Sequence, residues 1–119
     1  MRHLFYLVLL LTLTACPQKD DDTINCTEIF VSGLTIQVKD LSTNNFITEG
    51  ITVFIEDGDY NEELAVVSDT FFGAGERPGN YTITVSGEGY MTAVVGPIEV
   101  LSDECHVITQ SVEISLTPN

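Results

Sequence analysis

Pro78-Gly79-Asn80-Tyr81-Thr82-Ile83-Thr84-Val85-Ser86-Gly87-Glu88-Gly89-Tyr90 is the stretch whose pattern decides the fold. Tyr81, Ile83 and Val85 alternate with Thr82 and Thr84, the period of two that turns one face of a strand inward. Pro78-Gly79 presets a tight turn before it, and Gly87-Glu88-Gly89 supplies the backbone freedom to reverse direction after it. The same alternation recurs upstream. Leu34, Ile36 and Val38 alternate with Thr35, Gln37 and Lys39, and the turn formers from Asp40 to Asn45 close that strand. Ile51, Val53 and Ile55 alternate with Thr52, Phe54 and Glu56; Asp57-Gly58 then marks a hairpin, and Tyr60 to Val67 returns as a third strand. A loop holding Gly73, Gly75, Pro78 and Gly79 leads into the opening stretch. Downstream, Tyr90 to Val95 runs back, Pro97 breaks or edges the piece from Ile98 to Leu101, and the last strand carries Ile108, Val112, Ile114 and Leu116 opposite Ser111, Glu113 and Ser115. No helix of convincing length is present. Seven short strands at this spacing predict an all-β, two-sheet sandwich over residues 26–119.

The Pro-Gly turn, the strand with its early Tyr81, and the Gly89-Tyr90 pair after the next turn resemble the carboxypeptidase regulatory-like domain, a prealbumin (transthyretin-like) β-sandwich with an Ig-like layout. A Gly-Ile-Thr-Val run at Gly50 to Val53 and the closing strand extend the resemblance over about residues 29–117. It implies that Tyr81 and Tyr90 place rings in the sandwich with hydroxyls at its rim. It also implies an accessory module, since that fold label brings no catalytic residues with it.

At the other end of the chain, Arg2 and His3 precede an apolar run from Leu4 to Leu13, interrupted only by Thr12, and then Thr14-Ala15-Cys16. This is a signal-peptide layout, about half as long as the roughly 20 apolar residues a spanning helix needs. Leu13-Thr14-Ala15-Cys16 resembles the lipobox of bacterial lipoproteins. The resemblance implies that residues 1–15 are removed and that Cys16 carries the lipid, with two or three acyl chains making a durable membrane anchor. Residues 16–25 then form a lipidated terminus and a short, acidic, disordered linker. Pro17 stands where an inner-membrane retention signal would have Asp, which favours the outer membrane. Gln18-Lys19-Asp20-Asp21-Asp22 resembles the export signal of surface lipoproteins and implies an exterior-facing domain. Asp22-Thr23-Ile24 has a weaker resemblance to a bacterial O-glycosylation acceptor. With Cys16 assigned to lipid, Cys26 and Cys105 remain as a pair in a compartment that permits disulfides, and one intramolecular bridge is expected between the starts of the first and last strand regions.

Composition narrows the partners. The chain has a formal net charge of −14, with 18 acidic residues against 4 basic ones, which disfavours nucleic acid and anionic lipid surfaces and fits a solvated acidic exterior. No catalytic, cofactor-binding or metal residue is assigned. Asp57-Gly58-Asp59-Tyr60-Asn61 begins like a calcium loop, but Glu62 and Ser68 stand where the sixth-position Gly and twelfth-position Glu belong. An acidic hairpin tip is the expectation, with weak calcium binding the competing one. His106 follows Cys105 and has no Gly-x-Ser-x-Gly elbow to serve, so it reads as a strand-edge histidine. Of Phe71-Phe72, one ring is expected to fill the end of the core; the other reading is an exposed edge for a sugar or a protein. The expectation is a non-enzymatic, outer-membrane, surface-exposed binding or accessory module without cofactor, whose protein or glycan ligand is unidentified. The alternative is a structural envelope lipoprotein supporting a larger outer-membrane complex.

Overall fold

The computed structural model describes residues 25–119. The segment read as a signal peptide, Cys16 as the expected lipid site and all of the expected linker but Asn25 lie outside the described residues. Within them the chain is all-β, with strands β1 (Ser32–Asp40), β2 (Ile51–Asp57), β3 (Tyr60–Glu63), β4 (Ala65–Val67), β5 (Thr70–Gly75), β6 (Gly79–Gly87), β7 (Ala93–Val100) and β8 (Gln110–Leu116). They form two four-stranded sheets, β4-β5-β1-β8 and β3-β2-β6-β7. Every neighbouring pair is antiparallel except β1 and β8, which run parallel in register from Leu34 opposite Gln110 to Asp40 opposite Leu116.

The alternation does what its period requires. Leu34, Ile36 and Val38 of β1, Val53 and Ile55 of β2, Tyr81, Ile83 and Val85 of β6, and Ile114 and Leu116 of β8 all point between the sheets and are buried. No charged or polar residue is buried with them among the described residues, so the core is held by apolar area alone, about 1.5–3 kcal/mol for each large side chain removed from water.

Eight strands stand where seven were expected, and the difference has three sources. The expected third strand, Tyr60 to Val67, is cut at Leu64: β3 joins one sheet and β4 the other. Leu64 is the joint, its amide bonded to the Val53 carbonyl at 2.8 Å and its side chain driven into the core. The glycine-bearing segment read as loop contains β5, which pairs with β1 and sends Phe71 inward. Gly73 earns its place there, because a Cβ would stand 2.6 Å from the Leu64 side chain. Finally, the two pieces expected around Pro97 are one strand. β7 lies at the edge of its sheet, where a missing amide is tolerated, and its register against β6 shifts between Tyr81 and Ile83, so the chain absorbs Pro97 at an irregularity.

Parallel pairing of β1 and β8 puts the segments preceding both strands at one end of the sandwich. There Cys26 and Cys105 form the disulfide, with their Cα atoms 5.2 Å apart.

Candidate functional site

Three groups of side chains are candidates for function: two at the disulfide end of the sandwich and one on the outer face of the β4-β5-β1-β8 sheet.

The first is built around Glu76, just beyond β5. Its backbone sits at φ +49°, in the left-handed region that a side chain adopts only when its surroundings enforce it. The carboxylate is the enforcement. Oε2 accepts the Val31 amide at 3.0 Å and lies 2.7 Å from His106 Nδ1, while Oε1 accepts the Val107 amide at 3.4 Å. The other ring nitrogen of His106, Nε2, is 3.1 Å from the Thr27 hydroxyl. Asp103 holds the same loop, accepting the amides of Cys105 at 2.8 Å and His106 at 2.9 Å. Partial desolvation pushes the Glu76 carboxyl upward, but the bonds from His106, Val31 and Val107 outweigh it and leave its pKa below the usual carboxylate range. Donors from the loop likewise keep the Asp103 carboxyl low, the His106 amide foremost and the Cys105 amide next.

Thr27, His106 and Glu76 thus stand in the order hydroxyl, imidazole, carboxylate. Their partners say what the arrangement is for. Both oxygens of Glu76 are engaged with main-chain amides, one ahead of β1 and one ahead of β8, so the group ties the incoming chain to the β7–β8 connection. Phe30 lies over Gly75 beside it, in space that a side chain at that glycine would fill. His106 therefore sits in a connection rather than on a strand, next to the isolated bridge between Ser102 and Val107, and its side chain is mostly covered.

The second group centres on Arg77. Its guanidinium lies 3.9 Å over the Tyr60 ring, pairs with Asp57 Oδ2 at 3.0 Å, and donates to the Tyr81 hydroxyl at 3.0 Å. That hydroxyl donates in turn to the Arg77 carbonyl at 2.7 Å. Tyr60 donates to Glu62 Oε1 at 2.7 Å, and burial together with that carboxylate pushes the Tyr60 phenol up to about 12. Asp57, first of the acidic residues that suggested a calcium loop, is thus committed to Arg77. Gly58-Asp59 forms the tight β2–β3 turn between the paired Asp57 and Tyr60, with Gly58 at φ +62°. Among the described residues no group of three or more His, Cys, Asp and Glu side chains is placed to hold a metal.

The third group is a shallow concavity of about 360 Å³ on the outer face of the β4-β5-β1-β8 sheet. Strand register builds it. Thr35 of β1 faces Phe72 of β5 on one side and Ser111 of β8 on the other, so these three form one row across the sheet. Gln37 and Glu113 make the next row, and Thr70 completes the rim. The hydroxyls of Thr35 and Ser111 are 2.9 Å apart, and Glu113 is paired with Lys39 at 3.3 Å. Phe71 fills the core as expected of one of the two rings, while Phe72 is 37% exposed and floors the concavity.

Sequence reading singled out His106 and Phe72 but not their companions. The alternation of β1 already placed Thr35 and Gln37 on an outer face; what it lacked was β5, without which Phe72 has no neighbour. Tyr90, the second rim tyrosine, lies at the opposite end, donating to Asp40 Oδ2 at 2.6 Å. No protein-family model matches the chain, and no curated protein sequence matches it.

Proposed function

We propose that this chain is a lipid-anchored outer-membrane protein whose β-sandwich, of the carboxypeptidase regulatory-like, prealbumin type, is a non-enzymatic binding or accessory module facing the cell exterior. Cys16 carries the lipid and the acidic residues after it form the tether. The observation that carries the reading is the Cys26–Cys105 disulfide. A bridge of this kind belongs to an exported protein, and it accounts for the two cysteines the lipidation reading leaves over. It also lies at the end of the sandwich where the tether enters. The buried ring of Tyr81 and the partly buried ring of Tyr90, with their hydroxyls bonded at the two ends, support the prealbumin-type assignment. Commitment of Glu76 to main-chain amides supports a module without catalysis, because the carboxylate is spent on holding loops.

A second reading, a structural envelope lipoprotein supporting a larger complex, is favoured by one feature. Leu41 and Met91 are both exposed at the end away from the disulfide, on either side of the chain at residues 116–117, their amides bonded to the carbonyls of Leu116 and Thr117.

Two measurements test these. Cys16→Ser is expected to move the protein from the detergent phase to the aqueous phase while its domain stays folded; retention in detergent defeats the anchor. Protease shaving of intact cells is expected to remove the domain, and replacement of Lys19 to Asp22 by Ala is expected to protect it without loss of acylation. Full protection of the unaltered protein would turn the assignment to the envelope role.

A further inference from the structure

We propose that the concavity on the outer face of the β4-β5-β1-β8 sheet is a binding site for a neutral saccharide, with Phe72 as the platform under a sugar ring and Thr35, Gln37 and Ser111 as the groups that bond its hydroxyls. The proposal deepens the reading of the domain as a binding module and rests on it.

Charge is the first argument. In a chain with 18 acidic residues, a surface poor in free carboxylates is unusual; the one acidic residue lining this concavity, Glu113, is neutralised by Lys39 at 3.3 Å, and the nearby Asp69 carboxylate accepts the Thr70 hydroxyl at the rim at 2.9 Å. The Lys39 ammonium is itself shared with the Phe46 ring, 5.2 Å from its centroid. The concavity therefore offers neither an open cation for an anionic ligand nor an open carboxylate for a cationic one, and an anionic ligand would also meet the repulsion of the whole molecule.

Lining chemistry is the second. A pyranose has apolar C–H faces and a rim of hydroxyls that both donate and accept, so it needs an aromatic face beside short polar groups of the same dual character. Phe72 provides the face, partly open to solvent. Thr35 and Ser111 spend one donor on each other at 2.9 Å and keep acceptor capacity and the second proton. Gln37 adds both an amide donor and a carbonyl acceptor, and its side chain makes no hydrogen bond among the described residues.

Dimensions are the third argument. Phe72, Thr35 and Ser111 sit on adjacent strands, so the row is about 10 Å from end to end, and the Gln37–Glu113 row lies about 7 Å further along the strands. This is the footprint of one to two sugar units. The concavity is open along the sheet rather than closed around a monosaccharide, which favours an internal stretch of a neutral glycan chain.

The test uses the full lipidated chain in a detergent that contains no sugar, titrated with cellohexaose, maltohexaose, mannohexaose and xylohexaose, with an oligogalacturonate as the charged comparison. Binding of at least one neutral hexasaccharide and not of the oligogalacturonate is expected, weakened at least tenfold by Phe72→Ala and severalfold by Gln37→Ala. Phe54→Ala, on the other sheet, should leave it unchanged. Should Phe72→Ala fold poorly, Thr35→Val, which keeps the shape and removes the hydroxyl, is expected to weaken binding severalfold. Failure of every neutral hexasaccharide to bind overturns the proposal, as does binding that Phe72→Ala and Gln37→Ala leave intact. The module reading fails separately, if hydrolysed sugar products accumulate during the titration or if shaving shows the domain enclosed.

Discussion

Tyr81 combines a core residue and a surface clasp in one side chain. Its ring is fully buried, yet its hydroxyl reaches the Arg77 carbonyl four residues upstream and receives a bond from the Arg77 guanidinium. Tyr81→Phe keeps the ring and strips the hydroxyl, leaving that carbonyl without its partner. The expected cost is about 1–3 kcal/mol, read from urea denaturation; a change below about 0.5 kcal/mol would mean the carbonyl is satisfied by solvent. Asp40 does comparable work at the other end. Bonds from the Ser42 hydroxyl and then the Tyr90 hydroxyl, with the Ser42 and Thr43 amides, outweigh partial desolvation and hold its carboxyl down to about 2. An unfolded chain ionises such a carboxyl near 3.9. The folded form is the poorer proton acceptor, so the contribution of Asp40 is complete above about pH 4 and is lost as pH falls towards 2. Stability measured against pH should therefore fall less steeply across that window in Asp40→Asn than in the unaltered protein. Parallel slopes would show that Asp40 does not carry it. The rim role of Tyr81 is legible in sequence through the resemblance that the Pro78 to Tyr90 stretch carries, which gives Tyr90 the same role although its partner Asp40 is far away in the chain. Glu76 is not, since its partners Val31 and His106 are distant in the chain and meet only once both sheets exist.

Strands with clean alternation were legible to within about three residues: β1, β2, β6 and β8 each carry inward aliphatic or aromatic side chains at every second position. β5 was not. Its covered positions are Phe71, Gly73 and Ala74, two of them consecutive and two of them nearly without a side chain, and Ala74 sits at φ +55°, so no period survives. Single-chain pattern reading takes such glycines for a loop; here they are small because another layer lies against them. Gly73 and Leu64 are the test case. Adding a methyl at Gly73 forces the Leu64 side chain out of its place, so Gly73→Ala is expected to destabilise the domain by about 1–3 kcal/mol through overpacking. Leu64→Ala alone should cost about 2–5 kcal/mol through the cavity it leaves. In the double variant the new methyl occupies part of that cavity, and the combined loss should fall short of the two single losses by at least about 0.5 kcal/mol. Strict additivity would show that Gly73 is small for a reason unrelated to the crossing at Leu64.

At the scale of the whole molecule, the first and last strands are hydrogen-bonded neighbours, and the chain closes on itself. Their parallel pairing is what brings Cys26 and Cys105 to one end with Cα atoms 5.2 Å apart, and the bridge encloses nearly the entire sandwich, a sequence separation of 79. Chain entropy makes a crosslink of that span worth about 4.5 kcal/mol, acting on the unfolded state by forbidding the conformations in which its ends separate. Domains of this size have roughly 5–15 kcal/mol in total, so the bridge is a large share of the stability, while the folded state retains the β1–β8 ladder and the Glu76–His106 pair to hold the same ends together. Reduction should therefore weaken the domain without dissolving its fold. In a Cys16→Ser background, where Cys26 and Cys105 are the remaining thiols, non-reducing mass spectrometry is expected to find both oxidised within one chain. Urea unfolding should lose about 2–4.5 kcal/mol on reduction or in the Cys26→Ser, Cys105→Ser variant, with native amide protection in β1 and β8 kept in the absence of urea. Equal stability with and without reductant would mean the bridge constrains nothing that the β1–β8 pairing does not already constrain. A disulfide-linked dimer would remove the reason for placing the two cysteines at one end.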